Sequence, residues 1–149
     1  MKAIIQRVTS ASVTIDKNIV GQISNGLLIL LGIGQGDEIS DAQYLIQKIT
    51  QMRIFSDEEG KMNRSVLDVQ GELLVVSQFT LFAETKKGNR PSFIKGATPA
   101  EAKEKYLQWV ELLKSQYPYK IATGEFGANM QVALVNDGPV TITIDSKNP

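Results

Sequence analysis

Gly26-Leu27-Leu28-Ile29-Leu30-Leu31-Gly32-Ile33-Gly34-Gln35-Gly36 is the stretch on which the fold turns. Leu27 to Leu31 is the longest apolar run in the chain, far short of the roughly 18 residues that span a bilayer. A short apolar run punctuated by glycine reads as a buried strand, here Gly26 to Ile33. The glycines that close it invite a phosphate-loop reading. They lack both the Gly-Lys-Ser/Thr ending of a P-loop and the GxGxxG spacing of a dinucleotide fold. We therefore read them as a bend or bulge at a strand end and expect no nucleotide cofactor, and no other cofactor.

Working outward, residues 2–15 form an interrupted β-rich stretch, in which Val13 and Ile15 alternate against Ser12 and Thr14. Asp16-Lys17-Asn18 turns the chain into a short strand near Ile19 to Ile23. Downstream, Ser40 and Gln43 have capping-box spacing and open a helix whose stripe is Ala42, Leu45, Ile46, Ile49 and Met52. After a loop holding Asp57 to Gly60, Glu72 to Leu81 reads as a strand. Thr98 as N-cap, Pro99 at the first position and Glu101 closing the box start a second helix. Its core face is Ala102, Tyr106, Trp109, Val110 and Leu113, and Pro118 limits its end. The remainder is β, over Lys120 to Phe126, Met130 to Val135 and Val140 to Asp145. Mostly antiparallel strands with two helices predict an α+β fold, a single domain over 1–149 with a curved or barrel-like sheet.

Composition narrows the chemistry. The 149 residues are 42% apolar and 21% charged, as in globular chains. The N-terminal residues 1–7 lack the pattern of a signal peptide, and no membrane association is expected. The chain has no cysteine, which removes thiol nucleophiles and thiolate metal sites and fits a cytoplasmic location. It has no histidine either, so a Ser-His-Asp triad and an imidazole metal site are both excluded. Any enzyme built from it must use carboxylates, Lys, Tyr, hydroxyls, backbone amides or groups of the substrate. Sixteen basic residues balance sixteen acidic ones, which argues against a large phosphate footprint but permits a grip on a few nucleotides.

Three further segments could carry chemistry. Ser77-Gln78-Phe79-Thr80-Leu81 closes an apolar strand with two hydroxyls and an amide. It is either ordinary turn polarity or a polar lip that offers hydroxyls and backbone N–H groups to a substrate carbonyl. Lys86-Lys87-Gly88-Asn89-Arg90 is the densest basic segment, either solvated surface or a phosphate contact. Asp137-Gly138 is a hairpin signal that the following Pro139 spoils, because proline removes an amide from the returning strand. No metal-ligand constellation is visible.

Together these segments resemble the D-aminoacyl-tRNA deacylase family, also called D-tyrosyl-tRNA deacylases. The likeness runs nearly end to end, through Ile5-Gln6-Arg7-Val8, Arg53-Ile54-Phe55, Gly60-Lys61-Met62-Asn63, Ser77-Gln78-Phe79-Thr80-Leu81 and Lys87-Gly88-Asn89-Arg90-Pro91-Ser92-Phe93. It continues through Thr123-Gly124-Glu125-Phe126-Gly127-Ala128 and Asn136-Asp137-Gly138-Pro139-Val140-Thr141. Asn129 departs from it, standing where the family pattern has an acidic residue. The resemblance implies a homodimer with active sites at the subunit interface, acting on D-aminoacyl-tRNA. It implies a cis Gly138-Pro139 bond inserted into the partner's pocket, with Arg7 holding that loop. Ser77, Gln78, Phe79 and Thr80 would form the pocket floor, with Phe79 and Met130 near the terminal adenosine. The expected chemistry is an oxyanion hole of backbone N–H groups and help from the neighbouring ribose hydroxyl, with Thr80 as a positioning group. A filter that works by excluding L side chains could not exclude glycine. Two rival readings are a non-catalytic nucleic-acid-binding module and an editing domain for another mischarged tRNA.

Overall fold

A computed structural model describes residues 1–149. In chain order the elements are β1 (Lys2–Ile15), β2 (Asn18–Ile23), β3 (Gly26–Gly32), α1 (Ile39–Gln51), β4 (Phe55–Ser56) and β5 (Met62–Arg64). Then come β6 (Glu72–Ser77), a 3₁₀ helix (Phe79–Phe82), α2 (Pro99–Gln116), β7 (Ile121–Thr123) and β8 (Gln131–Asp145). The main sheet runs β2-β1-β3-β6-β7, with β8 on the other side of β1, and β4 pairs with β5 separately. β1 pairs antiparallel with β2, β3 and β8, whereas β3–β6 and β6–β7 run parallel. The sheet curls until β2 approaches β7. A Cβ on Gly21 would lie 2.6 Å from the Thr123 carbonyl oxygen, so glycine permits that near closure.

The apolar run of β3 is buried on both faces, which is why it shows no alternation. Leu27, Ile29 and Leu31 face α1 and α2 with Leu73 and Val75 of β6. Leu28, Leu74 and Val76 face a second cluster with Val8, Ala11, Val13 and Ile23. The interruption in residues 2–15 also has a physical origin. Ala3 and Ile5 belong to the helix-side cluster, but Ala11 and Val13, of the same parity, belong to the other. Register shifts between Gln6 and Val8, and between Val8 and Ser10, change the phase of the pleat.

Both expected helices form, with two corrections at their starts. α1 begins at Ile39 with Glu38 as N-cap, and its box is closed by Asp41 rather than by Ser40 with Gln43. In α2, Thr98 accepts from the Glu101 amide at 3.4 Å, with Pro99 at the first position. The Glu101 carboxylate does not close the box; it pairs with Lys105 one turn on, at 2.7 Å. All five residues expected on the core face of α2 are buried. No helix is long and apolar enough to cross a membrane.

Three strand boundaries also differ from expectation. β6 stops at Ser77 instead of Leu81, because its neighbour β3 ends at Gly32 and the Gln78 amide, bonded to Leu31 O at 2.8 Å, is the last ladder contact. β7 is only Ile121–Thr123. The two expected strands 130–135 and 140–145 are one, β8, because β1 continues past Arg7 and keeps the chain paired on both sides of residues 137–140.

Candidate active site

The polar end of β6 meets the start of α2 at a cavity of about 400 Å³, lined by Ser77, Phe79, Phe93, Ala97, Pro99, Ala102, Phe126 and Gly127. That volume lies within the usual range for small-ligand sites. Ser77 continues the helix-side face of Leu73 and Val75, so the strand itself aims its hydroxyl side at this space. Phe79 is 61% exposed and meets Phe93 edge to face, with ring centroids 5.1 Å apart. A large aromatic face open to solvent beside a cavity is a stacking platform for a planar ligand.

The 3₁₀ helix supplies amides. Its first i→i−3 bond runs from the Leu81 N–H to Gln78 O at 3.3 Å, and Gln78 gives no side-chain cap. The N–H groups of Phe79 and Thr80 therefore precede the first turn and have no intrahelical acceptor. The Thr80 hydroxyl accepts from Gln78 Nε2. A carboxamide cannot take a proton near neutrality, so nothing bonded to this hydroxyl could activate it as a nucleophile. Behind the cavity, Tyr106 donates its hydroxyl to Val75 O at 3.2 Å, and burial pushes its pKa up to about 12. It is a protonated donor packed against Phe126, not a base.

The glycines at and after the end of β3 turn out to seat the 3₁₀ turn. A Cβ on Gly34 would lie 2.6 Å from Cε1 and Cζ of Phe82, and one on Gly32 would lie 3.0 Å from Gln78 O. Their bareness lets the 3₁₀ helix lie across the strand end. Sequence reasoning recognised the strand end but missed this role. It also missed Ala97, Pro99 and Ala102 as lining residues, because a helix N-terminus carries no mark of what it faces.

The second expected group is assembled elsewhere. Residues 137–140 bulge opposite Arg7, between the pairs Gln6↔Thr141 and Val8↔Asn136. Arg7 is mostly buried. It donates Nε to Asp137 O at 3.0 Å and Nη1 to Ile54 O at 2.7 Å, and its Nε lies 3.6 Å from Asp137 Oδ2. Asn136 closes the bulge from within, accepting the Val140 amide at 3.0 Å and donating to Thr141 Oγ1 at 3.0 Å. Gly138 has φ +133, and its peptide bond to Pro139 is cis; both residues are exposed.

Register shows how far apart the two groups stand. Arg7 pairs with Leu27 and Leu27 with Leu73, whereas Ala3 pairs with Leu31 and Leu31 with Ser77. Four residues along the strands and three strand spacings across give a separation of roughly 15–20 Å. One chain therefore does not bring Gly138 and Pro139 to Ser77–Thr80. Met130 packs with the second core cluster, across the sheet from the cavity, and its sulfur lies 2.5 Å from where a Cβ on Gly124 would stand. Nowhere do three or more carboxylates gather as metal ligands.

A family model described as D-Tyr-tRNA(Tyr) deacylase matches residues 4–145. A protein of Cytophaga hutchinsonii named D-aminoacyl-tRNA deacylase is 60% identical over 148 residues, 99% of each chain. One of the same name from Thermosipho africanus is 55% identical over 147 residues, 99% of this chain and 98% of its own. Among solved structures, the c-Myc DNA Unwinding Element Binding Protein superposes with TM-score 0.93 at 43% identity, covering 97% of this chain and 98% of that one. A probable eukaryotic D-amino acid tRNA deacylase shares the fold, with TM-score 0.72 at 15% identity over 96% and 97% of the two chains.

Proposed function

The chain belongs to the D-Tyr-tRNA(Tyr) deacylase family, and on that premise we propose that it hydrolyses the ester joining a D-amino acid to tRNA. The observation that carries this reading is the end of β6. There a strand, a 3₁₀ turn and an exposed aromatic ring surround a cavity of nucleoside size.

The aminoacyl ester is already reactive, since its ammonium group withdraws electrons and a free ribose hydroxyl stands beside the carbonyl. The terminal adenine stacks on Phe79, and the carbonyl oxygen points at the amides of Phe79 and Thr80. These amides stabilise the charge that develops as the carbonyl becomes tetrahedral; one such donor is worth about 3–4 kcal/mol of barrier. The ribose hydroxyl assists attack by water, which suits a chain without histidine, and the Thr80 side chain positions the ester.

Chirality is set by a second copy. The Gly138-Pro139 bulge of a partner subunit enters the cavity, and its carbonyls hold the substrate ammonium. An L side chain then meets rigid backbone, whereas a D side chain points to solvent. The exposure of the bulge and its distance from its own Ser77 support this arrangement, as does β8, whose outer edge has no partner strand. Glycine has no side chain to exclude, so glycyl-tRNA, including that mischarged on tRNA-Ala, is also cleaved.

The test is hydrolysis of D-tyrosyl-, L-tyrosyl- and glycyl-tRNA by wild type, Thr80→Ala and Gly138→Ala. We expect D over L selectivity, glycyl-tRNA turnover and Thr80→Ala within about tenfold of wild type. Gly138→Ala should fall by about 10²-fold, since its Cβ would meet Val140 Cγ2 at 2.9 Å and push the bulge out of register. A Thr80→Ala variant without activity would restore direct attack by its hydroxyl. Resistance of glycyl-tRNA would refute the exclusion filter. The name of the 43% identical structural relative favours a second reading, nucleic-acid binding without hydrolysis. Under it, RNA or DNA binds while every ester survives.

A further inference from the structure

Lys86, Lys87 and Arg90 are exposed, and the nine ion pairs of the chain include none of them. The one acid at the root of their loop, Glu84, is already committed. It pairs with Lys95 at 2.7 Å and accepts the Lys86 amide at 3.2 Å, which lowers its pKa. The loop is also firmly rooted. Glu84 and Ser92 exchange backbone hydrogen bonds of 2.7 and 3.0 Å, and Gly88 turns the tip at φ +67. Its returning limb is tied to the end of β3 by Ala97 N to Ile33 O and Gln35 N to Lys95 O, both 3.1 Å. That limb carries Phe93, which packs on Phe79 and lines the cavity.

The other rims carry no comparable cationic cluster. The start of α2, with Pro99 and Ala102, brings Glu101 and Glu104, and the Phe126–Gly127 rim follows Glu125. Lys103 and Lys105 only balance the two acids beside them, and Lys105 is paired with Glu101 at 2.7 Å. A neutral chain has no general attraction for polyanions, so a strand whose last nucleoside fills the cavity leaves by the rim that welcomes phosphate. On the reading that the cavity holds the 3′-terminal nucleoside, we infer that the Lys86–Arg90 loop binds the backbone phosphates of the unpaired nucleotides just before it. Aromatic stacking beside a cationic track is how single strands are held without base readout.

The test compares wild type with Lys86→Gln/Lys87→Gln/Arg90→Gln, and with Lys17→Gln/Lys61→Gln/Lys114→Gln as a control of equal charge loss elsewhere. Two substrates are used, D-tyrosyl-tRNA and D-tyrosyl-adenosine, which has no phosphate. The loop variant should raise KM for the tRNA about tenfold with little change in kcat, and leave D-tyrosyl-adenosine cleavage unchanged. The salt slope of log kcat/KM should flatten by about 1–2, since each single-strand phosphate contributes about 0.7. Equal loss on both substrates, an unchanged slope or the same effect in the control would each overturn the assignment. If wild type cleaves neither substrate, the deacylase reading falls first. The loop is then judged by binding of a short single-stranded RNA, which the loop variant must weaken and the control must not.

Discussion

A Cβ placed on Gly34 would stand 2.6 Å from two ring carbons of Phe82, whose backbone belongs to the 3₁₀ helix that presents the Phe79 and Thr80 amides. Gly34→Ala must therefore displace an aromatic ring, and with it the turn that carries those amides. Overpacking of this kind costs about 1–3 kcal/mol, and a shift near 1 Å at the reacting centre costs about 10²-fold in rate. Gly36 is the matched control. It has φ +72 but open space around its Cβ position, so Gly36→Ala should cost about 1–2 kcal/mol while leaving kcat/KM intact. Urea unfolding and D-tyrosyl-tRNA hydrolysis separate the two; equal kinetics for both variants would remove the seating role. The sequence showed these glycines only as a strand end. What they accommodate is Phe82, distant in the chain, and bareness in a sequence does not say what fills the space. The position of Ser77 was more legible, because a hydroxyl closing an apolar strand is conspicuous wherever the chain goes next.

The start of α1 shows the same limit for elements. Ser40 and Gln43 have capping spacing, yet Glu38 and Asp41 make the box, because Asp41 is held by more than its helix. Its Oδ2 accepts the Glu38 amide at 2.7 Å and Lys147 Nζ, from beyond β8, at 2.8 Å. Burial pushes its pKa up, but these hydrogen bonds outweigh it and bring the group down to about 2. A carboxylate with a depressed folded pKa stabilises the native state above its unfolded value near 4, and that contribution fades as pH falls toward 2. Asp41→Asn should thus cost about 1–2 kcal/mol at pH 7, with the gap from wild type closing between about pH 4 and pH 2. Urea midpoints across that range check it, and a gap that stays constant with pH would contradict it. By contrast Thr98 and Pro99 were readable because an N-cap acts on its own next turn. The stripe of α2 was readable for the same reason, whereas the end of β6 depended on where β3 stopped.

At the scale of the molecule, register separates the two motifs that the resemblance joined. If Gly138 and Pro139 serve a cavity roughly 15–20 Å away, that cavity belongs to another copy, and the two-fold axis makes each site from two chains. Mixing two defective proteins tests this directly. Gly34→Ala spoils the cavity but leaves the bulge, and Gly138→Ala does the reverse. In a mixed dimer, one site combines both lesions and the other combines the intact cavity of one chain with the intact bulge of its partner. Random reassociation of equal amounts makes about half of the dimers mixed, so about a quarter of wild-type sites should return. The assay is D-tyrosyl-tRNA hydrolysis before and after the two proteins are unfolded together and refolded. Sites contained within one chain would recover nothing, since every chain in the mixture carries a lesion. Recovery therefore locates the stereochemical filter on the partner, and its absence returns Gly138 to a purely structural role beside Arg7.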